Sequence, residues 1–153
     1  MSTLIAYYSR TGSNEQLAKQ LHERVASDLD QILDRKKRDS MPGCAFAALF
    51  KRKAKIEFSK EPGGYDRVVV VTPIWASVLP PATRTYLKEN GPKLKQFSIL
   101  SVCGRGEENT KAIPDVERRA RKSPSARLLI RAEELQNDST QQKIEAFIKE
   151  IES

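Results

Sequence analysis

Hydroxyl side chains gather with one arginine and one glycine at residues 9–14, between an apolar run and a stretch with helical spacing. The first turn of a helix has backbone N–H groups without intrahelical partners and a partial positive charge, so it attracts anions. Gly12 would let the backbone turn tightly, while the hydroxyls add donors and Arg10 adds charge. This first loop therefore predicts a phosphate site, although an ordinary capped helix after a tight turn would use the same residues. Its candidate binding residues are Ser9, Arg10, Thr11, Gly12, Ser13 and Asn14.

The spacing within the first loop excludes two common nucleotide sites. It lacks the G-x-x-x-x-G-K-[ST] pattern, so there is no lysine placed for a nucleoside triphosphate. It also lacks the G-x-G-x-x-G pattern that holds the pyrophosphate of a dinucleotide. A single small phosphomonoester fits the loop better.

The second candidate loop carries the only tryptophan of the chain and follows a run of four valines. Trp75 could cover one face of a planar heterocycle, and the backbone around it could hydrogen-bond to the edge of that heterocycle. Alternatively, Trp75 fills the space between this loop and the neighbouring helix. The candidate binding residues of the second loop are Pro73, Ile74, Trp75 and Ala76.

The third candidate loop begins at Cys103, where two glycines flank an arginine. The glycines would let backbone N–H groups approach the polar rim of a ligand, or they would simply turn the chain from strand to helix. Arg105 could stabilise an anionic ring or extend into solvent. Cys103 without a histidine nearby in the pattern fits a small buried residue better than a nucleophile. The candidate binding residues of the third loop are Cys103, Gly104, Arg105 and Gly106.

Five alternations of strand and helix would position these loops. We expect strands at residues 3–8, 30–33, 68–71, 97–103 and 127–132, and helices at residues 14–26, 80–90, 110–122 and 140–151, with a short amphipathic helix near residues 46–50. Pro114 should fall within the first turn of its helix, and residues 138–140 should cap the last one. The pattern predicts an α/β domain with a five-stranded parallel sheet and helices on both faces. A chain of five such units and this length suits the strand order 2-1-3-4-5, which periodicity alone does not prove. In that order, the first and second loops meet where the winding direction reverses, and the third loop lies beside them.

Two stretches resemble the flavodoxin family. Residues 9–14 are similar to its [ST]-x-T-G-x-[TN] phosphate loop, and residues 65–87 (YDRVVVVTPIWASVLPPATRTYL) resemble a segment of short flavodoxin-like proteins. The resemblance implies a flavodoxin-like three-layer sandwich that binds FMN noncovalently. It places the phosphate on Ser9 to Asn14 and the isoalloxazine ring between the loops that begin at Pro73 and Cys103. Electron-carrier flavodoxins are typically acidic, whereas this chain carries a net charge of +7.

The excess positive charge belongs to one segment, residues 35–60, which we call the basic segment. It holds nine lysines and arginines against two acidic residues, and the other 18 basic and 18 acidic residues of the chain cancel. An acidic redox partner is the partner we predict for it. Few aromatic residues separate these charges, so specific nucleic-acid recognition is not expected. Apolar residues at 46–50 would also suit transient contact with an anionic membrane surface, and a solvated basic connection remains an alternative.

Length and composition indicate the number of domains and the location of the protein. With 153 residues, the chain has the size of one domain, and residues 1–153 are predicted to form a single one. No stretch approaches a membrane span, and the N-terminus lacks the layout of a signal peptide, so we expect a cytoplasmic protein. Cys44 and Cys103 form no C-x-x-C pair, and the single histidine, His22, falls on a predicted helix, so neither a disulfide framework nor a metal site is indicated.

These observations support two hypotheses about function, which belong to different classes of protein. The leading one is an FMN-dependent oxidoreductase or electron carrier, in which the flavin supplies the chemistry and no side chain has to act as an acid or base. The alternative is a binding or regulatory module of the same fold that acts through the basic segment.

Overall fold

Five parallel strands form the centre of the computed structural model, which describes residues 2–10, 12–34, 56–74, 78–103 and 112–153. The strand bounds are Thr3–Tyr7 for β1, Asp28–Gln31 for β2, Arg67–Val71 for β5, Phe97–Cys103 for β6 and Arg127–Arg131 for β7. The strands follow one another across the sheet in the order β2-β1-β5-β6-β7. Counted along the chain within this sheet, that order is the predicted 2-1-3-4-5.

Apolar and β-branched residues account for the central strands. All seven residues of β6 are buried, as are all five of β1 and the four valines of β5. Strands that are covered on both faces need continuous apolar runs rather than alternation, and such runs are what the sequence provides. Val69 of β5 pairs with Ile5 of β1 on one side and with Ser98 of β6 on the other.

Four described helices cover the two faces of this sheet. They are α1 (Ser13–Arg24), α2 (Pro81–Asn90), α3 (Ile113–Ala120) and α4 (Asp138–Glu152). One apolar cluster joins the sheet to α1 and α4 through residues such as Leu17 and Phe147. The other joins the opposite face to α2 and α3 through residues such as Tyr86 and Val116. The described chain is thus a three-layer α/β sandwich, as predicted.

A short antiparallel ribbon extends the chain beyond β2. It pairs β3 (Leu33–Asp34) with β4 (Ile56–Glu57), whereas the sequence predicted one strand at residues 30–33. The sheet strand lies earlier because residues 28–31 align with β1. The carboxylate of buried Asp30 accepts hydrogen bonds from the backbone N–H groups of Ser59 and Lys60. These bonds hold the residues that follow β4 beside β2. Residues 35–55, and with them the predicted helix near residues 46–50, lie outside the described ranges.

Helix ends differ from the predicted ones by a few residues. Helix α4 begins at Asp138 with Asn137 at its N-cap position, so the predicted capping residues lie within its first turn. An acidic residue there complements the positive end of the helix dipole. Pro114 occupies the first turn of α3, as predicted, and Arg121 ends that helix in the left-handed conformation with φ of 59°. In the portion of the chain that the structure describes, no helix has the length and apolar character needed to cross a membrane.

Candidate functional site

At the carboxyl end of β1, a side-chain hydroxyl and a backbone N–H join two described residues of the first loop. Ser9 Oγ accepts the N–H of Gly12 at 3.0 Å, and a hydroxyl that accepts in this way can still donate its own hydrogen. Gly12 is the N-cap residue of α1 and has φ of 99°. Residues other than glycine adopt this left-handed conformation only at a cost in conformational free energy. Among the described residues, none comes within 4 Å of a Cβ atom built on Gly12. The described part of the chain therefore leaves open space beside the N-terminus of α1.

The first turn of α1 has the donors that an anion needs. Glycine has no side chain with which to cap a helix, so Gly12 leaves the N–H groups of Ser13 and Asn14 uncapped. The helix dipole adds a partial positive charge at the same place. Together with the space beside Gly12, these groups fit a phosphate group.

Glu15 is the one acidic residue in this first turn. Its carboxylate accepts a hydrogen bond from the Tyr7 hydroxyl at 3.2 Å and lies 3.8 Å from Lys19 Nζ. Burial and this hydrogen bond raise the pKa of Tyr7, so its phenol stays protonated and donating at neutral pH. These contacts offset the repulsion that Glu15 would exert on an anion at the first loop.

Asn14 connects the first loop to the third. Its side chain is only 3% exposed. Its Nδ2 donates to the Val102 carbonyl at 3.0 Å, and its Oδ1 accepts the Val102 N–H at 2.9 Å. Val102 directly precedes Cys103, where the third loop begins. The Asn14 amide thus fixes α1 to the end of β6, and what this residue adds to the first turn is its backbone N–H.

The second loop begins in buried surroundings. Pro73 and Ile74 are both buried, and the preceding residue, Thr72, is completely so. The Thr72 hydroxyl donates to the Pro73 carbonyl at 3.0 Å and lies 2.7 Å from the Thr83 hydroxyl of α2. Nothing in the sequence indicates this hydroxyl pair, because a threonine beside a buried strand gives no sign of a partner 11 residues later.

The structure therefore brings together the described parts of the three loops at the carboxyl edge of the sheet. Cys103 is buried at the end of β6, as expected for a small core residue, and Arg10 is half-buried. The remaining predicted site residues lie outside the described ranges: Thr11, Trp75, Ala76, Gly104, Arg105 and Gly106. Their roles remain predictions.

A cleft of about 460 Å³ opens elsewhere, beside the ribbon of β3 and β4. None of the described residues of the first, second and third loops lines it. Because both ribbon strands lead into residues outside the described ranges, we assign no ligand to this cleft. Its lining residues are Gln31, Leu33, Ile56, Glu57, Phe58 and Ser59.

Comparison by sequence finds no relative: no known family profile and no curated protein sequence matches the chain. Comparison by structure does find similar proteins. A flavoprotein from Lactobacillus acidophilus NCFM, solved in complex with FMN, superimposes with a TM-score of 0.77 at 14% identity, covering 96% of this chain and 98% of its own. A Fusobacterium nucleatum flavodoxin bound to flavin mononucleotide gives 0.64 at 12% identity, covering 99% and 96%.

A third similar structure is the apo form of an NADH:FMN oxidoreductase. Its TM-score is 0.61 at 14% identity, and the match covers 99% of this chain and 88% of that protein. At such low identities, these matches establish the fold. The chain has the flavodoxin-like fold over nearly its whole length.

Proposed function

We propose that the chain binds FMN noncovalently and acts as an oxidoreductase or electron-transfer protein. The observation that carries the proposal is Gly12, whose left-handed backbone begins α1 at the carboxyl end of β1, where none of the described residues fills the space beside it. In parallel α/β sheets, this edge is where ligands bind. Similar folds described as FMN complexes support the choice of ligand.

Each loop would have its own task in holding the cofactor. Ser9 and the first-turn N–H groups of α1 would bind the phosphate, with Arg10 and Thr11 adding charge and a hydroxyl. The second and third loops would flank the ring, with Trp75 against one of its faces. FMN itself supplies hydride or single-electron transfer once it is bound, so the chain needs no acid or base of its own.

The test compares FMN with riboflavin, which has the same ring but no phosphate. Purified protein should be yellow or should take up added FMN, and FMN should bind more tightly than riboflavin. The double variant Thr11→Ala with Gly12→Val should weaken FMN binding by about tenfold or more, because it removes donors and strains the turn. Riboflavin affinity should stay the same.

Gly64→Val is the matched control, since a Cβ atom on Gly64 also has no neighbour within 4 Å, but this glycine precedes β5 at the opposite end of the sheet. It should leave both affinities unchanged. A colourless protein that takes up neither flavin would overturn the proposal and favour the binding-module alternative.

For the partner, we propose an acidic redox protein that the basic segment attracts. This proposal rests on the charge of residues 35–60 and on where the segment leaves the sheet. The N–H of Ile32 donates to the carbonyl of Tyr7, the last residue of β1, so the chain enters β3 at the same edge as the first loop. A partner docked there would be close to a flavin. The cytoplasm stays the predicted location, on the sequence argument alone.

Salt dependence tests the partner. Reduction of an acidic electron carrier by the FMN-loaded chain should slow steeply as ionic strength rises, because exposed charges are screened. Neutralising Lys51, Arg52, Lys53 and Lys55 should remove most of that dependence while leaving FMN affinity unchanged. A rate that responds to salt equally in both proteins would exclude the basic segment as the docking surface.

A further inference from the structure

Asn14 is the one polar residue among the buried residues of α1. The others, Leu17, Ala18 and Leu21, follow it at helical spacing and pack against the sheet. A buried polar side chain is costly unless it is hydrogen-bonded, and the amide of Asn14 makes two hydrogen bonds to the backbone of Val102. An apolar residue would also pack at this position, so packing alone does not account for an amide.

The amide takes the place of a neighbouring strand beside β6. The last paired residues of β5 and β6 are Val71 and Leu100. In a parallel sheet, alternate residues of a strand bond to the same neighbour, so the N–H and carbonyl of Val102 face the side on which β5 has already ended. A carboxamide offers an N–H donor and a carbonyl acceptor, as a peptide group does, and Asn14 uses both. The first turn of α1 is thereby bonded to the carboxyl end of the sheet.

The same turn carries the donors proposed for the phosphate. The first bond within α1 runs from the N–H of Gln16 to the carbonyl of Gly12 at 2.9 Å. The N–H groups of the three residues between them, Ser13, Asn14 and Glu15, therefore have no intrahelical partner. A hydrogen bond weakens steeply when its distance and angle change. The position of these N–H groups relative to the sheet thus affects how well they bind a phosphate.

We propose that Asn14 is a positioning residue for the phosphate of the cofactor. Its side chain bonds to β6, and the turn that it holds in place presents backbone N–H groups to the phosphate. The inference rests on the proposed function, because it requires that FMN binds at the first loop. It gives the side chain and the backbone of one residue separate tasks. Loss of the amide should therefore weaken the binding of FMN but not of riboflavin, which lacks the phosphate.

The experiment measures dissociation constants for FMN and riboflavin in Asn14→Ala, well below its unfolding temperature. This variant keeps the backbone N–H and removes the amide. The FMN constant should rise by about tenfold, which corresponds to the loss of about one hydrogen bond to a charged group. The riboflavin constant should stay that of the wild-type chain. A residue that only stabilises the fold would leave the ratio of the two constants unchanged.

Asn90→Ala is the matched control. Asn90 is likewise a buried asparagine, 1% exposed, and its Nδ2 donates to a backbone carbonyl, that of Tyr86, at 2.9 Å. It is the last residue of α2, at the amino end of the sheet. The control makes the same change of side chain far from the first loop, so both flavin constants should stay at their wild-type values.

If Asn14→Ala does not fold, nuclear magnetic resonance of the isotope-labelled wild-type chain decides instead. Spectra are compared between the riboflavin-bound and the FMN-bound chain, because the two ligands differ in the phosphate. The backbone N–H signals of Ser13 and Asn14 should shift between the two spectra. The side-chain Nδ2 signals of Asn14 should shift much less, because this group stays bonded to Val102.

Four results would overturn the inference. An FMN constant that stays at the wild-type value in Asn14→Ala would remove the positioning role while leaving the proposed function intact. Equal losses for both flavins would mean that the amide acts on the ring. Side-chain signals of Asn14 that shift as far as its backbone signal would mean that the side chain itself binds the phosphate. A wild-type chain that binds no flavin would reject the proposed function and this inference with it.

Discussion

Two glycines, Gly12 and Gly91, show how differently the two ends of the sheet are built. Gly12 begins α1 at the carboxyl end with φ of 99°, and an added Cβ atom would meet none of the described residues within 4 Å. Gly91 follows α2 at the amino end with φ of −47°, which any residue adopts, but its added Cβ atom would collide with the Ala120 carbonyl oxygen. The first glycine provides a backbone conformation and leaves space. The second permits two helices to touch.

Some polar contacts also differ between the two ends. At the carboxyl end, the side chains of Asn14 and of Asp115 in the first turn of α3 are buried and bonded to the backbone of Val102 and Leu79. At the amino end, charged groups form exposed pairs, such as Lys93 with Glu61 at 3.8 Å. Buried hydrogen bonds to the backbone hold chain segments in place without filling the space between them, which suits an edge that has to admit a ligand. Close backbone packing suits the opposite edge, which does not have to admit a ligand.

The largest effect on stability should come from Gly91→Ala. The new methyl group would lie within 2.8 Å of three backbone atoms of Ala120, and backbone cannot move aside as a flexible side chain can. We expect a loss of about 3 kcal/mol in the free energy of unfolding, at the upper end of overpacking effects. Urea titration followed by circular dichroism measures it.

Two other glycines serve as comparisons for Gly91→Ala. Gly64→Ala has open space and should cost well under about 1 kcal/mol. Gly12→Ala also has space but keeps its left-handed backbone, so it should cost about 1 kcal/mol. Equal losses at all three positions would mean that the contrast between the two ends is wrong.

A smaller loss is expected for Asn14→Ala. This variant leaves the N–H and the carbonyl of Val102 without their buried partner, which should reduce the free energy of unfolding by about 2 kcal/mol. Asn137→Ala is the control, because Asn137 stands at the N-cap position of α4 without a capping side-chain hydrogen bond. A change at Asn14 no larger than at Asn137 would show that the bond to β6 has no structural weight.

The sequence predicted those features that depend on neighbouring residues. The valine run of β5, the apolar stripe of α1 and the tight turn at Gly12 all follow from local patterns. The strand order, which is also correct, followed from the number of strand and helix units in a chain of this length. Contacts between distant residues were not predictable in this way. Asn14 reaches a residue 88 positions away, and the sequence offers no reason to prefer Val102 over any other backbone group. The same holds for Asp115, which from the sequence alone is an ordinary acidic residue in the first turn of a helix.

The smallest effect on the free energy of unfolding should come from Lys93→Ala, although Lys93 is only two positions after Gly91, where the largest effect is expected. Lys93 is 56% exposed, and Glu61, its partner, is 60% exposed. Water and salt screen such a pair, so the free energy of unfolding should fall by less than about 0.5 kcal/mol, and the difference should vanish near 1 M salt, where the screening length is about 3 Å. Lys93→Gln, which removes the charge but keeps most of the length of the side chain, should behave in the same way. A loss comparable to that of Gly91→Ala would mean that exposed charge, and not backbone contact between α2 and α3, holds the amino end together.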